Sequence, residues 1–239
     1  MKYIFLFLIL NYFNGVNIED YQIDKYINSI QEQDFCLNND ILDYVDLDPY
    51  HILINKENLL SEDYVPNNLT LPNVKYLDKN KVLMEETAAK ALENMFNDAY
   101  KQNINLIAIS GYRSYDRQVN IYNNNLKKYG EEYTNKVSAK PGTSEHQTGL
   151  VIDVSSLSNN YNLNESFSNT PEGIWLMNNS HKYGFIIRYP KDKQDITGYI
   201  YEPWHIRYVG KDLSTYIYIN NLTLEEYIQN YKYHKENIN

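Results

Sequence analysis

Cys36 is the sole cysteine among 239 residues, so no intramolecular disulfide can form. Without disulfide staples the chain fits a cytosolic protein, and equally a secreted one whose core is large enough to fold unaided. Positive charge is also short: 22 Lys and Arg stand against 31 Asp and Glu, a formal net charge of −9. That balance argues against nucleic acid as a partner, because phosphate binding needs clustered cations. The sequence has no glycine-rich phosphate loop and no internal repeat. Its N-terminal apolar run, YIFLFLILNYF at 3–13, is 11 residues long, against the roughly 20 that a spanning helix requires.

What is present supports a folded domain. Hydrophobic residues make up 43% of the chain, enough for a sizeable core. The 25 tyrosines predict a core and rim in which buried rings keep a polar tip. Behind Met1-Lys2, the short apolar run has the make-up of the central region of an export signal. No A-x-A-type cleavage site follows in NGVNIED, so residues 1–16 are expected to be a signal peptide or an N-terminal membrane anchor. A buried N-terminal strand is the competing reading. An exported protein at the outer membrane face or in the cell wall is therefore expected, with membrane contact only through that segment. Residues 17–48 are acidic and Asn-rich and read as a linker holding Cys36. Residues 49–235 read as one folded domain.

The alternation in HILINKENLL (51–60) predicts a strand, and Pro66 and Pro72 punctuate a following loop. Met84, Ala88, Leu92, Met95, Phe96 and Ala99 recur at helical intervals, which predicts a helix over 84–102. A buried strand is expected in NINLIAIS (103–110). Ser114 can cap a second helix with a stripe of Tyr115, Val119, Tyr122, Leu126 and Tyr129 and a stop at Gly130. After a polar loop, LVIDVS reads as an apolar strand. Thr170-Pro171-Glu172 opens a helix expected to reach Lys182. FIIRYP and GYIYEPWHIRYV read as strands, and Thr223-Leu224-Glu225-Glu226 is a capping box. The order of elements predicts an α+β domain with a central antiparallel sheet flanked by helices.

Two stretches carry the chemistry: SEHQTGLVID (144–153) and YEPWHIRYVG (201–210). His146, Asp153 and His205 offer two nitrogens and an oxygen, a set that suits Zn²⁺ better than Mg²⁺ or Ca²⁺. Glu202, three residues before His205, is the candidate general base and acid. Pro203 between them speaks for a strand end or bulge and against a helix. Positions three apart on a regular strand face opposite ways, so Glu202 and His205 meet only if the backbone bends. Asp153 sits in an apolar run, where a carboxylate is costly unless paired or metal-bound. Each residue alone also has a plain structural reading: His146 at the surface, Asp153 paired with an arginine, Glu202 solvated.

Together with SGYRSYDRQ (110–118), PGTSEHQTGLVIDV (141–154), YGFIIRYP (183–190) and ITGYIYEPWHIRYVG (196–210), these stretches resemble the VanY-type D-alanyl-D-alanine carboxypeptidases. Those are zinc peptidases of bacterial cell-wall metabolism with the hedgehog/DD-peptidase fold. INKENLLSEDYVPNNL (54–69) resembles the usual beginning of that domain, and the likeness covers about residues 50–215. The family pattern S-x-H-x-x-G-x-x-x-D falls on Ser144, His146, Gly149 and Asp153, and E-x-x-H falls on Glu202 and His205. The resemblance implies His146, Asp153 and His205 as ligands of one Zn²⁺ and Glu202 as the catalytic base. It implies Arg113 as the anchor of a terminal carboxylate, with Gln118 and Ser144 contacting the peptide. The substrate implied is a peptidoglycan stem peptide, cleaved at its C-terminal D-alanine. Alternatives are an L,D-carboxypeptidase acting on tetrapeptide stems, an endopeptidase, and a non-catalytic zinc-bearing wall-binding module.

Overall fold

A computed structural model of the chain describes residues 49–237, with side chains to Tyr231. The expected signal or anchor at 1–16 and the linker at 17–48, with Cys36, lie outside the described residues. No helix among the described residues is long and apolar enough to cross a membrane.

In chain order the elements are β1 (Leu69–Thr70), β2 (Met84–Glu85), α1 (Glu86–Lys101), β3 (Ile107–Ser110), α2 (Tyr115–Tyr129) and α3 (Glu131–Val137). There follow β4 (Val151–Ser155), α4 (Pro171–Asn179), β5 (Phe185–Tyr189), α5 (Gln194–Thr197), β6 (Glu202–Tyr208), α6 (Lys211–Ile219) and α7 (Leu224–Asn237). β1 and β2 form a small antiparallel pair. The central sheet runs β3-β4-β6-β5, with every neighbouring pair antiparallel. The α+β expectation with a central antiparallel sheet holds.

Strand alternation divides this sheet chemically. Ile152 and Val154 of β4, Ile206 and Tyr208 of β6, and Phe185 of β5 join the apolar face of α1 in one core. From α1 that core takes Ala88, Leu92, Met95, Phe96 and Ala99, five of the six residues of the expected helical stripe. Successive strand residues point to opposite faces. Asp153, His205 and Arg207 therefore share the other face, and the register sets Asp153 directly opposite His205.

Several local expectations needed correction. HILINKENLL forms no strand: the Asn55 carboxamide accepts from the backbone N–H groups of Glu57 and Asn58, folding the segment into a turn. The first helix begins at Glu86 because Met84 and Glu85 pair with β1, and the Glu85 carboxylate caps it through Thr87 and Ala88. In α2 only Gln118 and Tyr122 are buried, and Tyr129 is exposed against Tyr133. α3 occupies part of the expected polar loop, and α6 was not anticipated. The strand expected in NINLIAIS is confined to Ile107–Ser110. The last strand starts only at Glu202, and the helix from Pro171 ends at Asn179 in a 3-10 turn, Ser180–Tyr183. The capping box at Thr223 and Glu226 forms as expected, each backbone N–H bonded to the other's side chain.

Candidate active site

The bend anticipated at Pro203 is present. Between β5 and β6, Ile187 opposes Ile206 while Tyr189 opposes Glu202, so a step of two positions along β5 matches a step of four along β6. Such a bulge re-aims side chains. It brings Glu202 Oε2 within 3.5 Å of His205 Nδ1, which a regular strand would not allow. A second irregularity lies between β3 and β4, where Ser110 pairs with Asp153.

His146 arrives from the 3-10 turn Glu145–Thr148 that precedes β4. Gly149 closes that turn at φ 73, and a Cβ there would press on Leu69, Pro66 and the Glu85 backbone. A left-handed and crowded position of this kind favours glycine. The carbonyl of His146 accepts from the N–H of Arg113, tying the turn to the β3–α2 junction. His146 Nδ1 donates to the Gly111 carbonyl at 2.7 Å, which leaves Nε2 with its lone pair facing Asp153 Oδ2 at 3.4 Å. Gly111 is held close too: a side chain there would run into the Leu83 carbonyl.

On the other side of Asp153, Oδ1 lies 3.1 Å from His205 Nδ1. The donor atoms of His146, Asp153 and His205 all fall within 4.8 Å of one another. Tetrahedral zinc with bonds of about 2.0–2.2 Å separates its ligands by roughly 3.3 Å, close to both spacings around Asp153. Asp153 Oδ1 is buried and, though 3.1 Å from His205 Nδ1, accepts no aligned hydrogen bond among the described residues, and His205 Nε2 has no partner there either. Buried polar atoms are rarely left unsatisfied without a functional cause. Two imidazoles of fixed orientation, one carboxylate and an orphaned oxygen among them fit a zinc ion.

Charge is tuned across the cluster. Burial alone would raise the Asp153 carboxyl, but the two imidazoles hold it well below the usual carboxylate range. Burial lowers His146, helped by Arg113. For His205, burial is outweighed by Asp153 and Glu145, which hold it up at about 9. Burial pushes Glu202 up to about 7, with Asp153 adding to the push against the pull of His205 and Arg113. A carboxylate poised near neutrality suits a proton-transfer role.

The cluster opens into a cavity of about 240 Å³ lined by Arg113, Ser144, His146, Asp153, Glu202 and His205, with Trp204 and Tyr189 among its walls. A hollow of about 290 Å³ lies elsewhere, between β5 and α6, and holds no such donor set. Arg113 is clamped by two bonds, Nη1 to Gln118 Oε1 at 2.8 Å and Nη2 to Ser110 Oγ at 3.2 Å. Its Nε is buried without a partner. Gln118 does not line the cavity. It lies 2% exposed behind Arg113, its amide also donating to the Ala139 carbonyl. Tyr201 is turned to the other hollow, where its hydroxyl meets Met177.

Glu145, Arg188 and Arg207 escaped the sequence reading. Glu145 Oε1 accepts from Arg188 Nε at 2.8 Å and Arg207 Nη1 at 2.7 Å, all three side chains being buried. Its other oxygen faces His205 Nε2 at 3.8 Å, and neither of these atoms has a hydrogen-bond partner. The available signal was Arg188 and Arg207 inside apolar strands, where a charge requires a buried partner.

A central antiparallel sheet flanked by helices and carrying this site has the layout of the hedgehog/DD-peptidase-like fold. The model of the family VanY, D-alanyl-D-alanine carboxypeptidase, matches residues 81–211, and the chain belongs to that family. It is 49% identical over 183 residues to the provisionally named carboxypeptidase YodJ of Bacillus subtilis (strain 168), covering 75% of this chain and 67% of that protein. The solved structure of the LdcB LD-carboxypeptidase is similar at 49% identity and a TM-score of 0.71, over 74% of this chain and 84% of that one. A mutant of the vancomycin resistance D,D-pentapeptidase VanY, solved in complex with Zn(II), is similar at 32% identity and a TM-score of 0.64. That likeness covers 76% of this chain and 99% of the other. Another curated relative is matched over 48% of its length.

Proposed function

We propose that the protein is a zinc-dependent D-alanyl-D-alanine carboxypeptidase that releases the C-terminal D-alanine of peptidoglycan stem peptides. The observation that carries this reading is the convergence of His146, Asp153 and His205, with Asp153 Oδ1 orphaned and Glu202 alongside. Held by these three side chains, zinc would lower the pKa of water towards ~7 and polarise a carbonyl. The remaining work falls to the chain itself. Arg113, fixed by Gln118 and Ser110, presents a planar fork to the terminal carboxylate and so selects a free C-terminus. Glu202 takes a proton from the attacking water and delivers it to the departing amine. Trp204 and Tyr189 wall the cavity, and Ser144 lies where it can meet the peptide. The apolar run at 3–13 supports an exported location, where peptidoglycan is accessible.

A second reading, L,D-cleavage of tetrapeptide stems, is favoured by the higher identity to the LdcB LD-carboxypeptidase, 49% against 32% for VanY. The experiment that separates them is incubation with pentapeptide and tetrapeptide muropeptides, with and without a chelator, followed by identification of the released residue. D-alanine from the pentapeptide, abolished by the chelator, is expected. Release from the tetrapeptide alone would move the assignment to L,D, and chelator-resistant release would remove the metal.

A further inference from the structure

A groove of about 240 Å³ abuts the catalytic cavity, sharing Ser138 and Tyr199 with it as a common wall, and its remaining lining is Lys56, Asn135, Lys140 and Thr143. Two lysines on one small groove are unusual in a chain with a net charge of −9. Neither has a carboxylate partner among the described residues, a state they share with several surface lysines such as Lys79 and Lys211; what sets them apart is that both line one groove beside the cavity.

Lys56 is held in place. Its Nζ donates to the carbonyls of Gly198 at 2.6 Å and Asn135 at 3.1 Å and sits 4.7 Å over the Tyr199 ring. An ammonium has three N–H donors, so one remains. Burial, and after it the charge of Lys140, lowers Lys56 from its ordinary value, so the two cations act on each other. Lys140 belongs to the loop that leads into Ser144 and His146, and its carbonyl accepts from both the N–H and the hydroxyl of Thr143. The carbonyl of the preceding residue, Ala139, is bonded by Gln118, the residue that clamps Arg113. A structural strut accounts for Lys56, and Lys140 adds a second, exposed cation to the lining of the same groove. Two like charges facing one groove repel until an anion lies between them.

We propose that this groove is a cationic subsite for a second carboxylate of the peptide substrate, on the N-terminal side of the cleaved bond. The inference rests on the carboxypeptidase reading: with the terminal carboxylate at Arg113, the rest of the peptide must leave the cavity past its walls. Stem peptides offer this chemistry from two sources, the α-carboxylate of a γ-linked glutamate and the side-chain carboxylate of a diaminopimelate.

The test uses matched synthetic stem peptides, free or amidated at each of these carboxylates in turn. Binding is measured by calorimetry to the zinc-loaded Glu202→Ala protein, so it does not depend on turnover, and KM and kcat are measured with the unaltered protein. Amidation at the recognised carboxylate is expected to weaken binding and raise KM about five- to tenfold with little change in kcat, as for a partly exposed charge-assisted contact. Lys140→Ala brings the ratio between free and amidated peptide towards one, and Lys140→Glu inverts it. Lys90→Ala, on the exposed face of α1, keeps the ratio of the unaltered protein. The arm that responds names the source. Equal affinity for free and amidated peptides in both arms, or a ratio that survives Lys140→Ala in a folded variant, overturns the subsite. Binding that follows the expected ratio without any hydrolysis by the unaltered protein would instead overturn the hydrolase reading and leave the subsite standing.

Discussion

Two clusters of buried charge meet at Glu145, and they differ in how completely they are satisfied. In one, Glu145 and Glu225 face Arg188 and Arg207, two acids against two bases. Arg188 bonds Glu145 at 2.8 Å and Glu225 through both terminal nitrogens at 2.8 and 2.6 Å. Arg207 bonds Glu145 and the carbonyls of Tyr50, Ile52 and Tyr208. In the other cluster, His146, Asp153, Glu202 and His205 stand 3.1–3.5 Å apart, with Asp153 Oδ1 and His205 Nε2 lacking hydrogen bonds. That first network leaves only Glu145 Oε2, turned towards His205, without a hydrogen bond, and serves as scaffold. One with converging, unsatisfied donors is a site for a cation. The closed cluster ties α7, β5 and β6 to the back of His205, so the scaffold orients the site.

The sharpest way to break this division is Glu202→Gln, which keeps the shape and removes the base. A fall in kcat of about 10³-fold with zinc content unchanged is expected from steady-state assay and elemental analysis. Full activity would leave the open cluster without its proposed base. Arg113→Ala is expected to raise KM about 100-fold, with Arg113→Lys restoring part of it because one charge remains but the planar fork is lost. An unchanged KM would return Arg113 to the scaffold.

Glu145 tests the boundary itself. Glu145→Gln should weaken zinc binding roughly 10- to 100-fold in a chelator competition, because the group orienting His205 loses its charge. Glu225→Gln should cost about 2 kcal/mol of stability, because Arg188 keeps Glu145 but loses its bidentate carboxylate, while leaving zinc affinity within about threefold. Equal effects of the two on zinc would mean that the clusters are not separable. The smallest effect is on acid stability. Burial would raise Glu145, but Arg188 and Arg207 hold it well below the usual carboxylate range. A depressed folded pKa contributes stability that is complete above the unfolded value of about 4.3 and is lost as pH falls towards the folded value. The Tm of the unaltered protein is therefore expected to fall more steeply than that of Glu145→Gln between about pH 5 and 3 in a thermal scan.

The legible parts of the molecule were those in which a local pattern has one physical solution. The stripe from Ala88 to Ala99, the capping box at Thr223 and the bend marked by Pro203 all follow from neighbouring residues. Asp153 was conspicuous because a carboxylate in an apolar strand needs a partner. The turn at Asn55 was missed because a side chain competing for backbone donors leaves the hydrophobic alternation intact. α3 was missed because it is short and polar, and α6 because its run Tyr216-Ile217-Tyr218-Ile219 of aromatic and β-branched residues is equally at home in a strand, although Leu213 and Ile217 form a buried helical pair. Glu145 was hidden within the motif beside His146, and its partners lie 43 and 62 residues away. Only the sheet register, which aligns Val151 with Arg207 and Ile186 with Arg207, brings such distant charges together.

The most direct measurement is the zinc content of the purified protein beside that of Asp153→Asn, by elemental analysis. About one equivalent per chain in the unaltered protein and none in the variant are expected. A metal-free protein that still releases D-alanine, or a variant that retains its zinc, would contradict the assignment of the open cluster as a metal centre.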